Sequence, residues 1–208
     1  MIYYAAHPST TKETIDELSR WPWRWMISPW TPKPPWGGMP DRRFAIDNGA
    51  YGFHLRNLPF DDAKFLKILD KYGHLSDFVC IPDKVGDADE TFRLFDEWHA
   101  RLSDYKCLFV VQDGMAEAQV EALLPLVEGI FIGGTTEWKL KTIPQWSDFA
   151  KRNNKTIHVG RVNTIKRIKF CRLHGVDSID GSGVSRFRNW AKVINNWLLF
   201  DDRQLKLF

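Results

Sequence analysis

The sequence predicts an α/β protein, a compact single-domain (β/α)8 barrel that spans residues 1–208. Eight short apolar segments alternate with helical patterns, which is the arrangement of a closed parallel barrel. Polar residues follow these segments in both halves of the chain, whereas the alternative fold, an open doubly wound sheet, gathers its site at one switch point. A chain of 208 residues that is 44% hydrophobic is also large enough to bury one substantial core.

The predicted strands are short and apolar. They run from Ile2 to Ala6, Trp25 to Ser28, Phe44 to Asp47, Phe78 to Pro82, Leu108 to Gln112, Gly129 to Gly133, Thr156 to Gly160 and Ser178 to Asp180. Hydrophobic spacing and a capping pattern predict the helices between them. The first predicted helix begins at Thr10 and Glu13 and runs toward Arg20; two others span Asp61 to Tyr72 and Ala116 to Leu124. The remaining helices are predicted from their buried residues. One contains Phe92, Phe95, Trp98 and Leu102; one contains Trp146 and Phe149; one contains Ile165, Ile168 and Cys171; and the last contains Trp190, Ile194 and Trp197.

One segment departs from this alternation, the proline-rich stretch from Pro29 to Pro40. Its prolines prevent regular structure, so we expect a stiff loop after the second strand. Two interpretations stay open: the loop caps the barrel, or its tryptophans, Trp30 and Trp36, stack on nucleic-acid bases.

Composition and charge set broad limits on function. The net charge of +3 permits a polyanionic partner without requiring one, and ten tryptophans suggest aromatic surfaces beyond the needs of the core. Cys80, Cys107 and Cys171 are far apart, which indicates neither a zinc site nor a disulfide framework. We find no pattern of a signal peptide or a membrane span, so the cytoplasm is the expected compartment.

The candidate site residues lie where predicted strands end. Asp47, Asp83, Gln112 and Asp180 follow apolar strands, and Gly133-Gly134 follows another. A single acid in this position often caps the next helix. Several of them at the same barrel mouth indicate a site instead. Without histidine or cysteine ligands, such acids permit a magnesium or manganese site, glycoside hydrolysis, or glycosyl transfer through a covalent intermediate.

These motifs resemble those of the tRNA-guanine transglycosylase superfamily. The resemblance is carried by Asp47-Asn48-Gly49-Ala50-Tyr51, Asp83, Gln112-Asp113-Gly114, Gly133-Gly134, and the stretch from His158 to Arg186 with its Gly-Val-Asp turn before Asp180. It covers about Arg43 to Arg188. The family's closely spaced zinc cysteines and histidine are absent here. The chain is therefore more similar to the related transglycosylases that place 7-deazaguanine derivatives in DNA, with tRNA as the second candidate substrate.

The resemblance implies catalytic and recognition roles for named residues. Asp180 would be the nucleophile at C1′, and Asp47 would move protons to the leaving base and from the incoming base. Asp83 would accept hydrogen bonds from the guanine N1–H and 2-amino groups. Gln112 and the N–H groups near Gly133 and Gly134 would donate to the guanine O6. Tyr51 would stack on the base, and Arg186 and Arg188 would hold phosphates.

The sequence therefore predicts an enzyme that exchanges guanine in a nucleic acid for a 7-deazaguanine base such as 7-cyano-7-deazaguanine, with no cofactor and no metal. We expect His158 to be a hydrogen-bonded strand residue rather than a catalytic base. Two alternatives stay open: a nucleoside or glycoside hydrolase that uses the same acids, and a non-catalytic nucleic-acid-binding subunit. The sequence also leaves open a homodimer or a partner protein.

Overall fold

The computed structural model describes residues 1–6, 16, 23–32, 43–187, 190 and 192–194. Within these ranges, eight parallel strands form a closed barrel in which each strand pairs with the next and the last pairs with the first. The predicted (β/α)8 architecture is therefore confirmed. Nowhere in the same ranges is a helix both long and apolar enough to cross a membrane.

The strands lie close to their predicted positions. They are β1 (Ile2–Ala6), β2 (Arg24–Ile27), β3 (Phe44–Ile46), β4 (Val79–Cys80), β5 (Cys107–Val111), β6 (Gly129–Ile132), β7 (Thr156–Val159) and β8 (Ser178–Gly181). The strand β4 is shorter than predicted, but bonds between strands continue beyond both of its ends. The Ile46 N–H donates to the Phe78 carbonyl at 3.0 Å, and the Ile81 N–H donates to the Leu108 carbonyl at 3.1 Å.

The helices of the described residues follow the predicted alternation with one addition. They are α1 (Ala50–Leu55), α2 (Asp62–Tyr72), α3 (Ala88–Trp98), α4 (Glu117–Glu121), α5 (Thr136–Arg152), α6 (Ile165–Leu173) and α7 (Gly183–Arg186). The helix α1 was not predicted. The helix α4 is shorter than predicted, because Pro125 lies in a separate 3-10 turn and cannot donate the hydrogen bond that would continue the helix.

Some predicted elements lie outside the described residues. Of the helix from Thr10 toward Arg20, only residue 16 is described, and Trp197 of the last predicted helix is not described. Positions 33–42 of the proline-rich stretch, which include Trp36, also lie outside the described residues.

The core has two layers because alternate strand residues face opposite sides of the barrel wall. Tyr3 and Trp25 pack outward with the helices, whereas Tyr4 and Met26 belong to the smaller cluster inside the barrel. Four of the tryptophans are buried in the core: Trp23, Trp25, Trp98 and Trp146. The burial of Trp98 confirms the predicted buried face of its helix. All three cysteines are buried and unbridged, as expected of small apolar residues.

An ionic cluster closes the amino end of the barrel. Asp77, just before β4, accepts from Tyr4 Oη at 2.8 Å and from Arg24 Nη1 at 3.0 Å. Its other oxygen lies 2.5 Å from Arg43 Nε, and its side chain is only 8% exposed. Removing this carboxylate would leave Arg24 and the Tyr4 hydroxyl without their shared acceptor, so the cluster ties together the starts of the first four strands.

We therefore expect Asp77→Ala to lower the free energy of unfolding by roughly 2–4 kcal/mol, because it breaks a mostly buried ion pair. Urea unfolding measures the change. Glu90→Ala is the matched control, since Glu90 also pairs with an arginine, Arg93, at 2.8 Å but on an exposed helix face. Solvent screens that pair, so the control should unfold at nearly the wild-type urea concentration. Equal destabilisation by both variants would contradict the assigned role of Asp77.

Candidate active site

Three predicted carboxylates meet at the carboxyl end of the barrel. Asp47 directly follows β3, Asp83 lies just beyond β4, and Asp180 belongs to β8. Burial raises the pKa of Asp47 to about 7, and the negative charges of Asp180 and Asp83 add to the rise. The three side chains therefore form one electrostatic cluster. The Asp47 carboxylate also accepts the Gly49 N–H at 2.8 Å, which fixes the turn into α1.

Helix capping does not account for Asp83. The side chains that cap helices with a first-turn hydrogen bond include Asp61 for α2, Asp87 for α3, Thr135 for α5 and Thr164 for α6. Since α2 and α3 have these other caps, the alternative that Asp83 caps the following helix is not supported.

Asp83 is held by two side-chain amides. Asn48 Nδ2 donates to its Oδ1 at 2.7 Å, and Gln112 Nε2 donates to its Oδ2 at 2.5 Å. Burial raises the pKa of Asp83 to about 6, and these two hydrogen bonds limit the rise. Asn48 is itself fixed, because it donates to the Ile81 carbonyl and accepts the Ala50 N–H, both at 2.7 Å. The carboxylate is therefore oriented before any ligand binds.

Backbone N–H groups at the two glycines already have partners within the protein: the Gly133 N–H donates to Val111 O at 2.9 Å, and the Gly134 N–H donates to Gln112 Oε1 at 3.0 Å. This corrects the expectation that these two N–H groups donate to a base carbonyl. Gln112 Nε2 carries two hydrogens and uses one on Asp83, so its donation to a base carbonyl stays a prediction. Gln112 also accepts the Gly86 N–H at 3.2 Å. Gln112 thus connects the loops that follow β4, β5 and β6, because its amide oxygen and nitrogen both bond to protein atoms.

Asp180 is held from two directions. His158 Nε2 lies 3.1 Å from Asp180 Oδ2, and the Arg161 N–H donates to Oδ1 at 3.2 Å. His158 Nδ1 lies 2.8 Å from Ser178 Oγ. Burial lowers the pKa of His158, although the hydrogen bond and the charge of Asp180 oppose the shift. A neutral ring satisfies both partners when Nε2 donates to the carboxylate and Nδ1 accepts from the hydroxyl.

The aromatic residue expected to stack on a base is at the opening. Tyr51 is 40% exposed, and the Arg161 guanidinium lies 4.0 Å from its ring centroid. Arg186 is an exposed residue of α7, directly after β8. Its predicted phosphate contact stays a prediction, and Arg188 lies outside the described residues.

The first part of the proline-rich loop supports the Asp47 turn. Trp30 Nε1 donates to the Gly49 carbonyl at 3.1 Å, and its ring packs on Phe53 at 4.6 Å between centroids. A Cβ at Gly52 would lie 2.1 Å from Trp30 Nε1, so glycine is needed there for the close approach. For Trp30 the structure therefore favours the capping interpretation over base stacking.

Sequence reasoning missed three polar residues around the cluster, Asn48, Arg161 and Lys139. Asn48 and Arg161 adjoin predicted motifs, and their position beside strand ends was a usable signal. Lys139 had no such signal in the sequence, because it lies in the first turn of α5. There it is buried, and its Nζ donates to the Gly160 carbonyl at 2.5 Å. Burial lowers its pKa to about 7. His158 is hydrogen-bonded as expected, but its partnership with Asp180 was not foreseen.

Comparison with known proteins adds no assignment. No protein-family model matches the chain, and no curated protein matches it. The fold and the site together define a (β/α)8 barrel with three converging carboxylates at its carboxyl end. Among the described residues, no group of three or more histidine, cysteine, aspartate or glutamate side chains is arranged to hold a metal ion.

The raised pKa of Asp47 predicts a pH-dependent cost to stability. The ionised carboxylate is less stable in the fold than in the unfolded chain, where the pKa is about 3.9. The contribution of Asp47 to the free energy of unfolding is therefore fully present below that pH, where the carboxyl group is protonated in both states. It is lost as the pH rises through about 7, where the carboxyl group ionises in the fold as well. Asp47→Asn should raise the melting temperature at about pH 8 by roughly 2–4 °C, with a smaller change at about pH 4.

Asp113→Asn is the control for this measurement. Asp113 also follows a strand, but its carboxylate accepts the Thr135 N–H at 2.7 Å and hydroxyl at 2.6 Å. This variant should show no stabilisation at about pH 8. A melting temperature that falls at about pH 8 for Asp47→Asn would show that ionised Asp47 does not strain the fold.

Proposed function

We propose that the protein is a transglycosylase that exchanges guanine in a nucleic acid for a 7-deazaguanine base, through a covalent bond between the sugar and Asp180. The observation that carries this proposal is the cluster itself: three carboxylates at one mouth, each held by a different set of donors. DNA is favoured over tRNA because the sequence has no closely spaced cysteines of the kind that form the zinc site in the tRNA enzymes. The cytoplasm stays the expected compartment.

The proposed first half-reaction forms one bond and breaks another. A carboxylate oxygen of Asp180 attacks C1′ of the target nucleotide, and the bond between C1′ and N9 breaks with its electron pair going to the guanine. Protonated Asp47 supplies the proton that the leaving base needs. Its pKa of about 7 suits this task, because both protonation states are populated near neutral pH.

The second half-reaction reverses these roles. The incoming 7-deazaguanine gives its N9 proton to the Asp47 carboxylate, its N9 attacks C1′, and the bond to Asp180 breaks. The neutral imidazole of His158 and the Arg161 N–H keep the Asp180 oxygens oriented through both steps. No oxidant, reductant or external acid is required.

Asp83 is proposed to recognise the base edge. Its oxygens each accept one amide hydrogen and retain lone pairs for the guanine N1–H and 2-amino groups. The pKa of about 6 leaves most of this carboxylate ionised above neutral pH. The Gln112 amide is fixed against Asp83, so in this proposal Gln112 acts by orienting that carboxylate.

Incubation of the protein with labelled guanine or 7-cyano-7-deazaguanine, together with DNA or tRNA, tests the proposal directly. Incorporation of label supports exchange. Release of free base without incorporation would instead indicate the hydrolase, in which water replaces the incoming base. Nucleic-acid binding that survives loss of Asp180, with neither exchange nor release, would indicate the non-catalytic subunit.

Asp180→Asn should lower the exchange rate by at least about 1,000-fold, because an amide is a poor nucleophile toward C1′. Wild-type protein denatured during turnover should carry a sugar adduct on Asp180, detected by mass spectrometry of the peptides. Asp113→Asn is the matched control and should exchange at nearly the wild-type rate with an unchanged melting temperature. Comparable activity of Asp180→Asn and the control would overturn the assignment of the nucleophile.

Asp83→Asn replaces an acceptor with a donor facing the base edge, so exchange efficiency should fall roughly 10- to 100-fold. Asp87→Asn is the control, since Asp87 accepts the Glu90 N–H at 3.0 Å to cap α3 and asparagine can do the same. Steady-state kinetics of both variants provide the comparison. An Asp83 variant with wild-type efficiency and lower thermal stability would show that Asp83 only supports the fold.

A further inference from the structure

The Arg161 side chain crosses the mouth of the barrel. Its backbone follows β7, its Nη2 donates to the Gly134 carbonyl beyond β6, and its guanidinium stacks over Tyr51 in α1, which follows β3. These contacts lie on different sides of the opening. The guanidinium therefore spans the space through which a ligand would reach the carboxylates.

The charge of Arg161 acts on the same carboxylates. Burial raises the pKa of both Asp47 and Asp83, and the positive charge of Arg161 opposes the rise in each. The cation is thus close enough to compensate part of the negative charge at the mouth. A ligand that removed it would have to replace its contacts with the ring and with the Gly134 carbonyl.

The backbone at Arg161 is built to hold this arrangement. Its φ of 60° is in the left-handed region, which is unusual for a residue with a side chain. This conformation accompanies two contacts in opposite directions, the N–H to Asp180 Oδ1 at 3.2 Å and the guanidinium over Tyr51. Backbone strain of this kind is retained where the surrounding contacts determine it, and it concentrates at functional sites.

We propose that Arg161 is a displaceable lid over the base-binding position, and that a planar purine base binds by exchanging with its guanidinium on the ring of Tyr51. This inference rests on the proposed function. The guanidinium carbon lies 4.0 Å from the ring centroid, which is close to the distance at which a base would stack. One face of the ring cannot hold both groups, so the base and the guanidinium compete for the face that Arg161 covers.

The first measurement needs no base. Ring currents from Tyr51 should shift the Arg161 side-chain protons upfield in NMR spectra of the whole protein, and Tyr51→Leu should abolish the shift. Addition of guanine should abolish it in the wild-type protein as well. An Arg161 spectrum without a ring-current shift, or one that stays shifted in the guanine complex, would overturn the lid.

The second measurement is the affinity for free guanine at about pH 8, by calorimetry. Arg161→Gly is the informative variant, because glycine adopts a positive φ freely and retains the N–H that Asp180 accepts. We expect its dissociation constant to be roughly 3- to 10-fold lower than that of wild type, since no guanidinium competes for the ring. Arg161→Lys keeps the charge without the planar stack and should also bind more tightly.

Arg101→Ala is the matched control. The Arg101 guanidinium lies 4.0 Å from the Trp98 ring, the same separation, but in the turn before β5 at the amino end of the barrel. Its removal should leave guanine affinity unchanged. The double variant Tyr51→Leu with Arg161→Gly should lose the gain in affinity, because it lacks the ring that the lid covers and on which the base would stack. Binding by Arg161→Gly that is equal to or weaker than wild type would overturn the proposal, and so would guanine binding to none of the proteins.

The exchange assay separates this inference from the proposed function. Exchange by the wild-type protein, without tighter binding in Arg161→Gly, would refute the lid and leave the transglycosylase proposal standing. Displacement of the guanidinium by guanine, without exchange into any nucleic acid, would refute the transglycosylase and leave the lid standing.

Discussion

The convergence of three carboxylates at one opening, with Asp180 buried and Asp47 and Asp83 half-buried, is the constraint on which the rest of the site depends. Like charges this close disfavour one another's ionisation, and burial adds to the cost. The protein offsets that cost with donors from separate loops: the amides of Asn48 and Gln112, the imidazole of His158 and the backbone N–H of Arg161. Each donor is fixed by a further bond of its own, so the carboxylates are oriented by a network rather than by single contacts.

Burial raises the pKa of both Asp47 and Asp83, and unequal hydrogen-bond donation to the two carboxylates separates the values. Asp83 accepts two side-chain amide hydrogens, and its pKa rises only to about 6. Asp47 accepts one backbone hydrogen, feels both other charges, and its pKa reaches about 7. The higher pKa of Asp47 makes it the more readily protonated of these two carboxyl groups. Such a difference suits two separate tasks. An ionised carboxylate can accept hydrogen bonds from the edge of a base, and a carboxyl group with a higher pKa can transfer a proton.

The sequence predicted the barrel and the cluster better than it predicted the bonds inside the cluster. Strand periodicity and strand-end acids are local patterns, so Asp47, Asp83 and Asp180 were found without a structure. The use of the Gly134 N–H by Gln112 was not predictable, because it depends on how two loops from different strands approach each other. The burial of Lys139 was not predictable either, because a lysine in a first helical turn is ordinarily exposed.

The floor of the site is the interior core of the barrel. His158 stacks on Phe131 at 4.7 Å between centroids and meets the Tyr4 ring edge-on at 5.7 Å, while the Tyr4 hydroxyl donates to Asp77 at the other end. A column of packed side chains thus runs from the ionic cluster at the amino end to Asp180 at the mouth. Because closely packed interiors transmit small displacements, the position of Asp180 depends on side chains that no substrate touches. Above this floor lie Tyr51 of α1 and Arg161 after β7, whose contact is the one that the proposed lid would exchange for a base.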